Sequence, residues 1–465
     1  MNMKRQHIIL AILTTLCLHV SAQGFHTGYF TDDYLFRHEM NPAFENEKSY
    51  FSIPAIGNVN AKTMGNFGYE NVVRDNPLYP TLSTKELTTF MNPYLDNQLK
   101  GFSKGNNKIN AQAHVSILSA GFKKFGGYNT IELNVRGMAY GKIPYELFEL
   151  ATNTSNKNYQ IGDVAFMAQS FAELAIGHSR QINERLRLGA KAKILVGVAQ
   201  ASIEMNDVTA DLMTQDKWTI HGDAQAHVSM KGFKYKSESK EYESRPGSYK
   251  RVNDVDIDGS GIGGIGFGVD LGGSYKISDD LQVSASLLDL GFISWSNDMY
   301  ATNIEKDFVF DGFHDVDFIK AKDNHATHQV DKYSDQVSDF YNLKDMGDKG
   351  SRLTTLGATI NLACQYILPS YRQLKFGALS STRLQGKHTW TEMRLSSNIE
   401  PLKWLSGGAS IAVNSYTTSL GWIVNIHPKS FNFFIGMDHL MGKFSKEMIP
   451  LSSNASVSVG FNVTW

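Results

Sequence analysis

The stretch that decides the fold is Val457 to Trp465, which reads Val-Ser-Val-Gly-Phe-Asn-Val-Thr-Trp. Large apolar side chains occupy every second position, and small or polar side chains lie between them. Because successive side chains of a strand point to opposite faces, this alternation predicts a β-strand with one apolar and one polar face.

Residues 1–22 have the pattern of a secretory signal peptide. Lys4 and Arg5 give a positive start, residues 8–18 are apolar, and residues 20–22 are small enough for a cleavage site. The apolar run is too short to cross a bilayer as a helix. We therefore predict an exported protein whose mature chain starts at residue 23.

The composition fits a large β-protein. The 465 residues include 40 glycines, 11% are aromatic, and the net charge is −1, which argues against a nucleic-acid partner. Without the signal peptide, Cys364 is the only cysteine, so no intrachain disulfide can form and a cysteine-based metal site is disfavoured. We expect no cofactor.

The same alternation recurs along the chain. Between Leu186 and Val198, apolar residues alternate with a face that carries Arg187, Lys191 and Lys193. A second strand, at residues 131–136, places Glu132 and Arg136 opposite its apolar face. A soluble sheet would bury the apolar face under a second layer, whereas a membrane barrel would turn it to lipid and the charges to a wet lumen.

Short and long connections alternate between these strands, which predicts an all-β, transmembrane, antiparallel up-and-down β-barrel of about 14 strands. An even count puts both termini in the periplasm and the long loops outside the cell. The extended segment Trp218–Met230 would break the parity, so we treat it as an extracellular extension of a hairpin. Helical spacing predicts short loop helices at Ser83–Leu99 and Pro144–Ala151.

Tryptophans near strand ends would form an interfacial girdle in a barrel, and they would pack the core of a soluble sandwich in the alternative fold: Trp295, Trp404, Trp422 and Trp465. A terminal strand with Phe461, Val463 and Trp465 on its apolar face resembles the closing strand of bacterial outer-membrane barrels. The resemblance implies that these three residues form the signal read by the barrel insertion machinery.

Four further stretches, at residues 37–44, 50–57, 288–295 and 376–383, together resemble a family of uncharacterised Bacteroidota outer-membrane proteins, known only as a domain of unknown function. They read RHEMNPAF, YFSIPAIG, LDLGFISW and FGALSSTR. The resemblance covers the mature chain. It implies an outer-membrane location in a Gram-negative bacterium, with outer-membrane lipid as a partner.

Asn41-Pro42-Ala43 more distantly resembles a motif of FadL-type transporters and of PorV- and PorP-like proteins. In FadL relatives, this N-terminal region forms a hatch inside the barrel. The resemblance implies that residues 23–49 form a periplasmic hatch or plug, with its turn at Asn41, Pro42, Ala43 and Phe44, and that residues 50–465 form the barrel.

The physical argument for a hatch is that about 14 strands enclose more space than wall side chains fill. Pro42 fixes its own φ and biases Asn41 away from helix, which suits a sharp turn. An ordinary Asn-Pro turn leading into a strand explains the motif equally well. Charges of the segment, at residues 32, 33, 37 and 39, would pair with Arg187, Lys191 and Lys193 and hold the hatch loosely.

Two clusters suggest metal binding, and neither completes a known site. Residues 254–259 read DVDIDG like the start of a calcium loop, but its twelfth position is Ile265 rather than glutamate. His314, His325 and His328 lack metal-ligand spacing. No nucleophile–base pair stands out either, so we predict neither a metal site nor an enzyme.

Two functions remain open. A FadL-like protein would take up small apolar or amphipathic molecules passively, with a small hydrophobic ligand in the barrel. A non-conducting barrel would instead anchor or shuttle other proteins, as PorV- and PorP-like components of type IX secretion do, or serve as a structural outer-membrane protein. The first predicts an apolar pocket beside the hatch, and the second predicts a sealed lumen with exposed apolar loops.

Overall fold

The computed structural model describes residues 24–77, 87–153, 157–214, 217–242, 246–259, 261–310, 342–440 and 453–465. The predicted signal peptide and the His314, His325 and His328 cluster lie outside these residues. The strands, in chain order, are β1 (Tyr50–Ser52), β2 (Val59–Gly65), β3 (Val73–Asp75), β4 (Leu87–Thr89), β5 (Asn106–Lys124), β6 (Gly127–Pro144), β7 (Asn158–Gln181), β8 (Leu186–Asp211), β9 (Trp218–Met230), β10 (Phe233–Glu241), β11 (Ser248–Ile257), β12 (Gly264–Lys276), β13 (Leu281–Trp295), β14 (Met299–Asn303), β15 (Asp307–Phe310), β16 (Leu343–Asp348), β17 (Arg352–Thr355), β18 (Ala358–Ile367), β19 (Leu374–Leu384), β20 (Trp390–Leu402), β21 (Leu405–Asn414), β22 (Thr418–Ile426), β23 (Phe431–Met437) and β24 (Ala455–Thr464).

These strands close into an antiparallel barrel with 14 strand positions around its wall, which confirms the predicted architecture. We call each position a stave, because two of them are formed by two consecutive short strands. The order around the ring is β1 with β2, then β5, β6, β7, β8, β12, β13, β17 with β18, and β19 to β24. The last strand returns to the first, since Tyr50 pairs with Thr464 and Val59 with Val459. In the part of the chain that the structure describes, each of the 14 positions around the ring is paired with a neighbour on both sides, β17 with β18 counting as one, as a bilayer requires.

The two ends of the barrel differ. At the short-turn end, brief connections such as 125–126, 182–185 and 277–280 join neighbouring strands. At the opposite, long-loop end, β8 continues beyond its last pairing with β12 and pairs with β9 instead. Strands β9, β10, β11 and β14 to β16 extend this loop-end sheet outside the ring of staves. Trp218–Met230 is therefore an extension, as predicted.

Burial follows the predicted alternation. On β6, Glu132 and Arg136 are buried inside the barrel, whereas Ile131, Leu133 and Val135 are exposed on its outer surface. The outer face is therefore the apolar one, which is the arrangement that lipid requires. Among the described residues, no helix is long and apolar enough to cross a membrane.

Of the two predicted loop helices, one forms and the other does not form in its described part. Helix α2 (Tyr145–Thr152) forms where expected, and a one-turn helix α1 covers Tyr69–Val72. The helix predicted over Ser83–Leu99 does not form in its described part, residues 87–99, because Leu87–Thr89 pairs as a strand with β3.

Candidate functional site

The N-terminal segment, residues 24–49, runs through the inside of the barrel. Two short 3-10 turns, His26–Gly28 and Leu35–Glu39, give it a compact shape. It buries six aromatic side chains, and these pack on one another and on wall residues such as Phe434: Phe25, Tyr29, Phe30, Tyr34, Phe36 and Phe44. The segment and the wall thus share one apolar core, and the segment joins the wall at Ser49, whose N–H donates to the Trp465 carbonyl.

Asn41, Pro42, Ala43 and Phe44 form a tight turn against the wall. The Asn41 side-chain oxygen accepts from the Ala43 N–H at 3.0 Å, and the Phe44 N–H donates to the Asn41 carbonyl at 3.0 Å. The Asn41 amide donates to wall carbonyls of Gly273 and Ala285, both at 3.3 Å. The Asn41 side chain therefore both closes the turn and anchors it to the barrel wall.

The wall makes room for this turn with two paired glycines. Gly189 of β8 and Gly272 of β12 are directly opposite each other in the ladder. A Cβ at Gly189 would overlap the Pro42 carbonyl, and one at Gly272 would overlap the Asn41 side-chain oxygen. Only residues without a Cβ allow the backbone to approach so closely.

The charges pair differently from the prediction. Asp32 pairs with Arg37 of its own segment and with Lys375 of the wall. Lys191 contacts the wall carboxylate Glu132 at 2.9 Å rather than the segment. Of the three predicted wall cations, only Arg187 reaches the segment, through Glu45 at 2.7 Å.

Lys193 belongs to a buried charged layer formed with Arg136, Glu173, Asp270, Asp289 and Arg383. Asp289 lies at its centre, 2.6 Å from Arg136 and 2.7 Å from Lys193. The wall thus carries its own carboxylates within reach of its cations. The N-terminal segment is therefore held by aromatic packing and hydrogen bonds together with buried contacts to wall carboxylates, such as His26 to Glu392 at 2.9 Å and His38 to Glu132 at 3.1 Å.

On the loop-end side of this layer lies an apolar cluster that also faces the lumen: Met138, Tyr140, Phe171, Leu195, Ile293, Trp295 and Leu356. Two of its members immediately follow charged-layer residues on the same face of a strand. Met138 comes two residues after Arg136, and Leu195 comes two residues after Lys193. Gly264 and Gly266 of β12 leave space for the neighbouring Trp295 and Ile293, with which they pair.

His388 covers the cluster at the loop end, outside the barrel strands. It lies in a 3-10 turn, Gly386–His388, and its ring stacks on Tyr140 with centroids 5.4 Å apart. Burial lowers the pKa of the His388 imidazole to about 4, so the ring is neutral near pH 7. The imidazole ring that lies over the apolar cluster is therefore uncharged.

Trp295 was predicted in an interfacial girdle and is instead fully buried inside the barrel. Its indole N–H donates to Thr354 Oγ1 at 2.8 Å. Trp404 and Trp465 are exposed. Phe461, Val463 and Trp465 all lie on the outer surface of the last strand, and their predicted role in insertion stays a prediction.

The aspartates of residues 254–258 have cross-strand partners. Asp254 pairs in the ladder with Lys236 and Asp256 with Lys234, and Asp256 lies 3.4 Å from the Lys236 amine. These aspartates lie on the solvated face of an exposed hairpin.

A family model described as a family of unknown function, DUF5723, matches residues 42–438. The chain belongs to this family. The predicted resemblance to an uncharacterised family is thereby confirmed. No curated protein matches this DUF5723 chain.

Solved structures that match the DUF5723 barrel include the Pseudomonas putida toluene transporter TodX, at 9% identity and a TM-score of 0.41, covering 96% of this chain and 98% of that one. A Pseudomonas aeruginosa FadL homologue matches at 8% identity and a TM-score of 0.37, covering 96% and 93%. Sequence identities and TM-scores this low say nothing about the function of this chain. The assignment as an outer-membrane β-barrel rests on ring closure and the apolar outer face.

Proposed function

We propose that this barrel is a passive uptake channel for small apolar or amphipathic molecules, closed by its N-terminal segment in the state described here. The observation that carries the proposal is the apolar cluster. The lumen of a membrane barrel is ordinarily polar, yet seven apolar side chains face it here and are buried. Such a lining suits the apolar body of a permeant.

The position of the charged layer supports an amphipathic permeant. Arg136 and Lys193 lie next to the apolar cluster on the same strand faces. A molecule that enters from the long-loop end would meet apolar side chains first and charged groups directly afterwards. Its apolar part would lie against Phe171 and Leu195, and a polar end would face the charged layer.

Opening by ejection of the whole N-terminal segment is too costly for passive transport. Exposing its six buried aromatic side chains would cost roughly 9–18 kcal/mol at about 1.5–3 kcal/mol each. A local movement of the Asn41–Phe44 turn breaks few hydrogen bonds and leaves most of those rings packed. We therefore infer that this turn, held in the Gly189–Gly272 gap, is the moving part.

A polar substitution in the apolar cluster provides the test. We expect Leu195→Gln to lower decanoate binding by roughly 5- to 150-fold, because covering an amide that has no hydrogen-bond partners costs about 1–3 kcal/mol. Leu195→Met keeps the volume and should bind decanoate like the parent protein. Native mass spectrometry of the delipidated barrel, loaded with decanoate, measures both variants. Absence of decanoate from the parent, or equal retention by Leu195→Gln, would contradict the proposal.

An anchor or shuttle for other proteins is the second candidate. The loop-end sheet and its flanking residues expose apolar side chains such as Met213, Ile257 and Val309, at 57%, 54% and 46%. Exposed apolar side chains grouped on one surface are typical of partner sites. A stoichiometric partner protein in the same mass spectrum, without any small ligand, would favour this second function.

A further inference from the structure

Three side chains from separate parts of the chain converge at the short-turn end: Asp33, Glu400 and His427. Asp33 belongs to the N-terminal segment, Glu400 lies near the end of β20, and His427 directly follows β22. One ligand atom from each lies within 4.8 Å of the other two. The group joins the N-terminal segment to two staves of the wall.

The imidazole of His427 has an unused ring nitrogen at this point. The residue is 5% exposed, and its Nε2 atom makes no hydrogen bond. Asp33 Oδ2 lies 3.5 Å from Nε2, an ion-pair distance that is too long for a good hydrogen bond. A buried nitrogen without a hydrogen bond is costly unless something else binds it.

The main chain holds all three residues in place. The Asp33 carbonyl accepts from Asn432 at 3.2 Å, and the Glu400 N–H donates to the Gln373 carbonyl at 3.1 Å. Lys48 donates to the His427 carbonyl at 3.0 Å. The Lys48 amine therefore binds the His427 carbonyl, and the Lys375 amine binds Asp32. Neither amine is hydrogen-bonded to the carboxylate of Asp33 or Glu400.

We propose that Asp33, Glu400 and His427 bind a divalent cation of the Zn²⁺ type, which clamps the N-terminal segment to the barrel wall. Two carboxylates and one imidazole suit Zn²⁺, and water would complete the coordination, whereas Ca²⁺ and Mg²⁺ prefer oxygen ligands alone. Tetrahedral Zn²⁺ with bonds of about 2.0–2.2 Å places its ligands roughly 3.3–3.6 Å apart. The Asp33–His427 distance already has this value, and small side-chain rotations would bring Glu400 in.

The site does not depend on the proposed uptake function. It links parts of the chain on the opposite side of the charged layer from the apolar cluster. A bound cation would hold Asp33 against the wall while leaving the Asn41–Phe44 turn in its glycine gap. The clamp would therefore steady the base of the segment during any movement of the turn.

The test measures Zn²⁺ retention by the whole mature barrel in detergent. The protein is stripped with a chelator, loaded with Zn²⁺, freed of excess metal by gel filtration and analysed by elemental mass spectrometry. We expect about one Zn²⁺ per chain in the parent, and at least a tenfold loss of retained Zn²⁺ in His427→Gln and in Glu400→Gln. His178→Gln, which removes an exposed histidine at the same end, should retain Zn²⁺ like the parent.

The folding of each variant is checked by its heat-dependent migration on gels. Because His427→Gln and Glu400→Gln are tested separately, the result still stands if one of the two misfolds. Zn²⁺ should also slow proteolysis of the N-terminal segment in the parent and not in His427→Gln. The proposal is overturned if the parent retains no Zn²⁺, or if both ligand variants retain as much as the parent, which would mark adventitious surface binding. Zn²⁺ retention without protection from proteolysis would overturn the clamp.

Discussion

Replacing Gly272 with alanine is expected to loosen the N-terminal segment and raise the ion conductance of the barrel. The added Cβ would overlap the Asn41 side-chain oxygen and lie 2.8 Å from Pro42 Cδ. The wall cannot yield, because β12 is paired on both sides. The turn must therefore move, which weakens the hydrogen bonds from Asn41 to Gly273 and Ala285.

The size of this effect follows from two contributions. Overpacking costs about 1–3 kcal/mol, and each weakened hydrogen bond costs about 0.5–1.5 kcal/mol. A total of at least about 2 kcal/mol raises the population of the displaced turn roughly 30-fold or more. Conductance in planar bilayers and the rate of proteolysis of residues 24–49 both report this population.

Gly268→Ala is the matched control for this experiment. Gly268 lies on the same face of β12, but a Cβ there would meet its nearest atom, Leu356 Cδ1, at 3.5 Å, an ordinary contact. We expect its conductance and proteolysis to match those of the parent. If Gly272→Ala and Gly268→Ala behave alike, the glycine gap does not hold the turn.

The barrel could be predicted from the sequence because its signal is local. Alternation on segments such as Leu186–Val198 decides which face is apolar, and short turns between such segments decide the topology. The loop helix predicted at Ser83–Leu99 failed for the opposite reason. Its Phe90 instead packs against Phe102 and Phe148, and this tertiary contact overrides helical spacing.

The prediction that Trp295 lies in the interfacial girdle was wrong for a single physical reason. On β13, Ser286 and Leu288 face inward, and so does Asp289, which follows directly with φ of 56° in a bulge. The extra residue shifts the alternation, so odd-numbered residues such as Trp295 face the lumen beyond it. No local pattern announces this bulge, and the apolar cluster was missed with it. Leu195 among the lysines of β8 was the one visible signal.

Partners within the charged layer could not be predicted either, because they are far apart in the chain. Arg136 and Asp289 are 153 residues apart, and only ring closure and the bulge bring them together. The sequence supplied the inward position of Arg136, Lys191 and Lys193. Their carboxylate partners depend on the stagger between strands, which alternation alone leaves open.

The charged layer gives the second large prediction, that Asp289→Asn destabilises the barrel by about 3–5 kcal/mol. Removing one partner of a buried ion network leaves the remaining charges insufficiently compensated. Asp289 contacts Arg136 at 2.6 Å, Lys193 at 2.7 Å and Arg383 at 3.5 Å. Asparagine has nearly the same shape and tolerates the positive φ at this position, so the loss would come from charge rather than from backbone strain.

The free energy of unfolding in urea, with the barrel in lipid vesicles, measures this loss. Asp280→Asn is the control, since Asp280 pairs with Arg372 in an exposed turn at the short-turn end. An exposed pair contributes less than about 1 kcal/mol, so the control should stay within that range. Equal losses in the two variants would show that the Asp289 carboxylate is no more important than a surface charge. A large loss confined to Asp289→Asn would instead show that the buried Asp289 carboxylate holds the charged layer together, as its contacts with three cations predict.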